Sequence, residues 1–298
     1  MSGLQISYLE ASARKRLEGL VDAKSFTEFC PPEMRQTSPH LALLDIPLAL
    51  DDGVIVGSAT LAGHSILIAA QEGRFYGGAV GEVHGAKICG LLKKALTNRP
   101  VAVLLLVDSG GVRLHEANAG LIAISEIVRA VLEVQAAGIP VFAFVGGSCG
   151  AFGGMGIVTR LCDEVVMSEQ GRLGLSGPEV IETVKGVDEF DSKDRALVWR
   201  VTGGKLRRAL GEATQLVEDI IPAFRSVAIT LTEKYQSQPY APIDLDALLE
   251  IQTKLVKRRA SFVRARDGLE IWQEVFSEPS RVPDLTVAEF NQQLGVQT

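Results

Sequence analysis

Apolar residues follow two rhythms along the chain: short unbroken runs, and stripes recurring every three or four positions. The runs at 101–107 and 140–145 predict strands buried on both faces, as in a parallel sheet covered by helices. Residues 54–61 and 65–70 read as a strand pair within 53–76, with Gly63-His64 as the turn. Residues 6–27 predict an amphipathic helix broken by Cys30-Pro31-Pro32, and 81–97 predict a helix following Gly77-Gly78. Leu114, Ala117, Leu121, Ile124, Val128 and Val131 form one helical stripe, ended by Gly138-Ile139-Pro140. Further on, 164–168 predicts a strand and 173–175 a short apolar stretch. Ser176-Gly177-Pro178-Glu179 then opens a helix, with Ser176 or Gly177 as the cap and Pro178 at the first helical position. Residues 191–202, 222–235 and most of 244–277 read as helical, with a break at Gln236-Ser237-Gln238-Pro239.

Strand, glycine turn, helix is therefore repeated. Asp108-Ser109-Gly110-Gly111-Val112-Arg113 follows one apolar run, and Gly146-Gly147-Ser148-Cys149-Gly150-Ala151-Phe152-Gly153-Gly154 follows the next. The crossover joining two parallel strands is right-handed, which places both turns at the strands' carboxyl edge. The expected class is α/β, one core domain with helical extensions at both ends. Two turns of bare backbone N–H groups facing one another can hold the oxygen of an enolate. The candidate donors are Gly110 or Gly111 in the first turn and Gly153 or Gly154 in the second.

Composition narrows the partners. With 298 residues and 47% hydrophobic content, the chain can bury a large core. A net charge of −6 gives no reason to expect nucleic acid or an anionic membrane, so the basic run Lys254, Lys257, Arg258, Arg259, Arg264 and Arg266 reads as a solvated or subunit-contacting face. No apolar run reaches the roughly 18 residues of a bilayer span. The first residues lack the features of a secretory signal, and the expected location is cytoplasmic. Cys30, Cys89, Cys149 and Cys162 contain no Cys-x-x-Cys pair, and His40, His64, His84 and His115 lack metal-ligand spacing. No metal is expected. Cys149 in the second turn reads as a small residue where bulk does not fit.

Rival chemistries fail on detail. Neither turn fits the Gly-x-Gly-x-x-Gly dinucleotide pattern, a phosphate-binding Gly-x-x-x-x-Gly-Lys-Ser/Thr loop is missing, and no Gly-x-Ser-x-Gly stands with a catalytic triad. Arg113 either orients an anionic substrate group or ties the turn to Glu116. His115 and His84, beside glycine turns, are the candidates for donating a proton. Glu82 and Glu179 suit the helix starts they occupy.

The run Asp108-Ser109-Gly110-Gly111-Val112-Arg113-Leu114-His115-Glu116 resembles the Ser-Gly-Gly-Ala-Arg-x-x-Glu signature of biotin-dependent carboxyltransferases. Gly77-Gly78-Ala79-Val80-Gly81-Glu82-Val83-His84-Gly85, Gly153-Gly154 and Ser176-Gly177-Pro178-Glu179-Val180-Ile181-Glu182 are similar to further family segments in the same order. The resemblance spans about residues 50–220 and implies a crotonase (ClpP-like) fold, with extensions at 1–30 and 222–298. It adds Ser109, Arg113, Gly77, Gly78, Ser176 and Gly177 as substrate-binding candidates. The four-cysteine zinc ribbon of the bacterial acetyl-CoA carboxylase beta subunit is missing. Gly-Gly-Val-Arg-Leu-His-Glu, Gly-Glu-Val-His-Gly and the run 184–200 look most like the beta subunits of biotin-independent malonate decarboxylases.

That resemblance implies decarboxylation of a malonyl thioester on an acyl carrier protein to the acetyl thioester and CO₂. It implies a homologous gamma subunit, the acyl carrier protein subunit and an acyl-carrier transferase (alpha) subunit as partners. The substrate rides on the carrier's phosphoribosyl-dephospho-CoA prosthetic group, and no cofactor is expected on this chain. Two alternatives stand beside it: a carboxyltransferase subunit serving biotin, and a non-catalytic scaffold for a homologous partner.

Overall fold

The computed structural model describes residues 6–39, 43, 53–238, 240 and 244–295. His40 and Pro239 lie outside them. Among the described residues, seven strands form one sheet in sequence order: β1 (Thr27–Phe29), β2 (Val54–Leu61), β3 (His64–Gln71), β4 (Ala102–Val107), β5 (Val141–Val145), β6 (Glu164–Ser168) and β7 (Gln215–Val217). β1–β2 and β2–β3 are antiparallel, and every later pairing is parallel. The glycine turns thus leave the same edge, because Val107 pairs with Val145.

Each residue of β4, β5 and β6 is buried, as expected for strands covered on both faces. Pleating sends Val103, Leu105 and Val107 into one core and Ala102, Leu104 and Leu106 into the other. The first core is closed by α2 (Glu82–Asn98), α3 (Ala119–Ala136) and α4 (Gly153–Leu161). The second is closed by α1 (Ala13–Leu20) and, beyond α5 (Pro178–Lys185), α6 (Arg195–Thr202) and α7 (Gly204–Ala209), by α8 (Ile221–Ser237). The two terminal extensions therefore supply a layer of the fold. α9 (Leu245–Phe262) follows with no buried side chain. A third cluster joins α7 and β7 to α10 (Gly268–Trp272) and α11 (Val287–Gly295).

Three expectations are corrected. The 6–27 helix is confined to α1, because Ser12 caps its start through the Lys15 N–H and 27–29 pair with β2 instead. The α3 stripe is out of phase. Leu114-His115-Glu116 is a separate 3₁₀ turn, and Ala117 at φ 52° resets the period. The buried face runs through Gly120, Ala123, Ile124, Ile127, Ala130, Val131 and Val134, whereas Leu114 is 82% and Leu121 55% exposed. The 244–277 helix is interrupted between α9 and α10, where Asp267 and Glu270 form a capping box. β7, three residues long, is too short to show a period in sequence.

Candidate active site

The two glycine turns are laced together above the sheet. The Ser109 N–H donates to Gly150 O at 2.7 Å, and the Phe152 N–H returns to Ser109 O at 2.9 Å. Ala151 then pairs with Leu173, and Val80 with Val112, so that four segments form a small second layer. Gly153 stands over Gly111: a Cβ at 153 would lie 3.1 Å from the Gly111 Cα, and φ at 153 is +57°. Only glycine suits that left-handed position at so close an approach.

Hydrogen bonding sorts the candidate donors. The Gly110 N–H is committed to Gly77 O, and the Gly153 N–H to Leu175 O, each at 2.8 Å. The Gly111 N–H has only the Ser109 hydroxyl at 3.4 Å, a marginal distance. The Gly154 N–H, in the first turn of α4, finds no acceptor among the described residues. Gly111 and Gly154 are thus the pair with N–H groups to offer, and both are half-buried.

The other candidates divide between scaffold and rim. Arg113 is 5% exposed and pairs with Glu116 at 3.1 Å; its Nε donates to Ala79 O at 2.9 Å, and its guanidinium lies over Phe75 and Tyr76. Glu116 in turn accepts the Glu82 N–H at 2.6 Å, which ties the first turn to the start of α2. Ser109 is buried, with its hydroxyl inside its own turn. His84 is fully buried, 2.8 Å from the Gln71 side chain, and Gln71 Oε1 accepts the Asp108 N–H at 3.3 Å. His115 is half-buried beside Tyr76, with ring centroids 5.0 Å apart. Gly77 is exposed and Gly78 buried, both with positive φ. Gly177 is the α5 N-cap, with Ser176 half-buried before it and Pro178 at the helix start.

Asp108 and Arg16 were given no role by sequence. The Asp108 carboxylate takes Arg16 at 2.7 Å and the Cys149 N–H at 2.7 Å, and Arg16 also donates to Tyr8 O and Leu9 O. Burial alone would lower the Arg16 pKa, but the adjacent Asp108 raises it above its ordinary value. A signal existed: Arg16 sits in phase with Ala13, Leu17 and Leu20 on the buried face of α1, and a buried arginine demands a carboxylate. Cys149 is half-buried, and burial followed by the Asp108 charge pushes its thiol pKa up, which disfavours a reactive thiolate. All four cysteines are free, and no group of three or more metal-ligating side chains occurs among the described residues.

A carboxyl transferase domain model matches residues 10–199. The chain belongs to that family. It is 38% identical over 95% of its length, and over 94% of the relative's, to the malonyl-S-ACP:biotin-protein carboxyltransferase MADC of Malonomonas rubra. Among solved structures it resembles a subunit of the Pseudomonas malonate decarboxylase hetero-tetramer in complex with malonate. That match has a TM-score of 0.80 and 37% identity, covering 91% of this chain and 97% of that one. The Pseudomonas MdcD-MdcE hetero-dimer matches at a TM-score of 0.67 and 35% identity over 86% of this chain and 99% of that one. The resemblance to malonate decarboxylase subunits and the crotonase-type fold are borne out, and both Pseudomonas structures are hetero-oligomers. No helix among the described residues is long and apolar enough to cross a membrane.

Proposed function

We propose that this chain is the subunit of a malonate decarboxylase that converts a malonyl thioester on an acyl carrier protein to the acetyl thioester. The observation that carries the reading is the pair of available N–H groups, Gly111 and Gly154, on two turns in contact. The bond between the methylene carbon and the carboxylate breaks, CO₂ leaves, and the electron pair moves through the carbon into the thioester oxygen. That enolate oxygen is where the donors act, and each such donor contributes roughly 3–4 kcal/mol to the transition state. A proton added at carbon then completes the acetyl group, so one proton is consumed for each CO₂ released. His115, half-buried at the rim of the first turn, is better placed to deliver it than His84, which is enclosed.

Pairing with a homologous subunit is part of this reading. Leu114 is 82%, Leu175 69% and Val184 79% exposed, on segments that border the glycine turns. Apolar surface of this kind beside a site marks a face that a partner covers. The carrier's phosphoribosyl-dephospho-CoA arm brings the thioester to this edge, and an alpha subunit loads the carrier.

The relative from Malonomonas rubra carries biotin-protein in its name, which favours a second reading in which the carboxylate passes to biotin. One assay separates the two. CO₂ release is measured from malonyl-S-carrier with this chain and its homologous partner, without biotin. Release that requires this chain is expected; release only after a biotinylated protein is added establishes carboxyl transfer instead, and full activity of the partner alone establishes the scaffold.

A further inference from the structure

A left-handed loop closes on the first glycine turn. Tyr76, Gly77 and Gly78 follow one another with φ of 48°, 62° and 66°. Gly77 O accepts the Gly110 N–H at 2.8 Å, and Gly111 O accepts the Val80 N–H at 2.9 Å, so the loop is fixed against the turn. Glycine adopts positive φ freely, whereas a residue with a Cβ does so at a cost. Six other side-chain-bearing residues with positive φ occur among the described residues: Lys24, Cys30, Arg35, Ala62, Arg99 and Ala117. Arg35 and Arg99 end helices, Ala62 turns the β2–β3 hairpin, and none of the six is aromatic. Tyr76 therefore holds a bulky ring where glycine suits the backbone better. Strain kept at the edge of a site points to a task for the side chain.

The Tyr76 ring is 50% exposed yet clamped. Phe75 meets it edge-on with centroids 4.9 Å apart, and the Arg113 guanidinium lies 5.6 Å from its centroid. His115 packs beside it, with centroids 5.0 Å apart and the planes at 43°. The His115 backbone is secured on its flank, because Glu116 pairs with Arg113 and accepts the Glu82 N–H. The imidazole itself makes no hydrogen bond among the described residues. Its nitrogens are thus left for substrate, and the contact with Tyr76 is what orients the ring.

We infer that Tyr76 is a positioning residue that holds the His115 imidazole at the rim of the first glycine turn, where it protonates the enolate carbon. The inference rests on the decarboxylase reading above. Once CO₂ has left, the enolate either takes a proton at carbon or recaptures CO₂ and returns to the malonyl thioester. In the first course a C–H bond forms and an N–H bond of the protonated imidazole breaks. The electron pair of that N–H bond stays on nitrogen, and the ring regains its proton from solvent. A held imidazole delivers the proton readily; one that swings free delivers it slowly, and recapture grows. Tyr76 acts on the fate of the enolate, not on its formation.

The test uses the complex of this chain with its homologous partner. A group that protonates a carbon also removes a proton from it in reverse, so acetyl-S-carrier in D₂O is expected to exchange its methyl protons. Mass spectrometry follows the exchange. His115→Gln slows it by about 10²-fold, and Tyr76→Ala slows it by about ten- to hundredfold through misplacement of the imidazole. Tyr76→Phe recovers most of that loss, since the ring makes the contact. Adding Tyr76→Ala to His115→Gln costs nothing further. Tyr76→Gly exchanges as slowly as Tyr76→Ala but melts above it, because glycine relieves the left-handed backbone.

With malonyl-S-carrier and isotopically labelled CO₂, Tyr76→Ala returns more label to the malonyl thioester for each acetyl group formed. General damage to the site does not produce that shift. Wild-type exchange in Tyr76→Ala and Tyr76→Gly, additive losses in the double variant, or no exchange by the wild-type complex above the uncatalysed rate overturns the inference. A complex that shows the Tyr76-dependent exchange but releases no CO₂ without biotin overturns the decarboxylase reading alone. One that releases CO₂ while exchange ignores Tyr76 overturns the inference alone.

Discussion

The Asp108 carboxylate accepts the Cys149 backbone N–H at 2.7 Å, so a residue at the start of the first glycine turn fastens the second. The same carboxylate is held by Arg16 from α1, on the opposite side of the sheet from α4. Gly73 and Gly147 close around it: a Cβ on either would come within 2.5 Å of the carboxylate. The turns and α1 thus form one rigid unit, and pre-organised donors are worth most when they cannot move.

Breaking that pair leaves a buried charge. Asp108→Ala is expected to lower stability by about 3–5 kcal/mol, because Arg16 is then uncompensated. Replacing both, as Arg16→Met with Asp108→Leu, costs less than the sum of the single changes. Urea unfolding of the four proteins in the cycle measures this, and additivity within error contradicts the coupling.

Removing one donor tests the oxyanion assignment. Gly154→Pro deletes the N–H in the first turn of α4, where proline is tolerated by the helix. The Ile124 side chain has to shift to admit the ring, so melting temperature is followed alongside rate. The expected loss in kcat is about 10²–10³-fold with the fold retained. A folded variant with the wild-type rate removes Gly154 from the site.

Neighbouring glycines differ in what surrounds them. Gly77 has φ +62°, and a Cβ there would meet nothing within 4 Å, so Gly77→Ala is expected to cost about 1–2 kcal/mol of left-handed strain. Gly78 has φ +66°, and a Cβ there would lie 1.8 Å from Asp108 O. Gly78→Ala is therefore expected to be clearly the worse of the two, to the point of poor soluble yield. Chemical denaturation of both variants compares them, and equal stability contradicts the clash.

Acid sensitivity has an identifiable source at Asp22. Its carboxylate accepts the Gly63 N–H, Arg225, the Thr60 hydroxyl and the Ala62 N–H, which hold its pKa below the ordinary aspartate value. A depressed pKa stabilises the folded state fully above the unfolded value, about 3.9, and that stability is lost as pH falls through the folded one. The gap between wild type and Asp22→Asn is expected to be constant near neutrality and to shrink below about pH 4. Urea midpoints across pH give the curve; a gap that widens in acid contradicts it.

Much of this was legible in the chain. Strands β2 to β6 were readable because their apolar runs are bounded by glycine or proline, and α5 because Pro178 follows Gly177. The pairing of the glycine turns followed from their repeated context. What failed were phases and ends. Ala117 adopts a left-handed conformation that no periodicity reveals, so the stripe drawn through Leu114 and Leu121 pointed outward. Residues 27–29 became a strand only because β2 offered an edge.

Sequence by itself determined the family and the pairing of two glycine turns at one edge of the sheet, since tight turns between a buried strand and a helix require glycine at fixed places. It left four glycines as equal candidates. Only the tertiary structure separates spent N–H groups from available ones among them, because it places Gly77 O against the Gly110 N–H and Leu175 O against the Gly153 N–H. A backbone N–H is available or spent according to which carbonyl lies opposite, and that carbonyl comes from a segment remote in sequence. The burial of Arg16 against Asp108 has the same origin: the two are 92 positions apart, and only the folded chain brings the charges together.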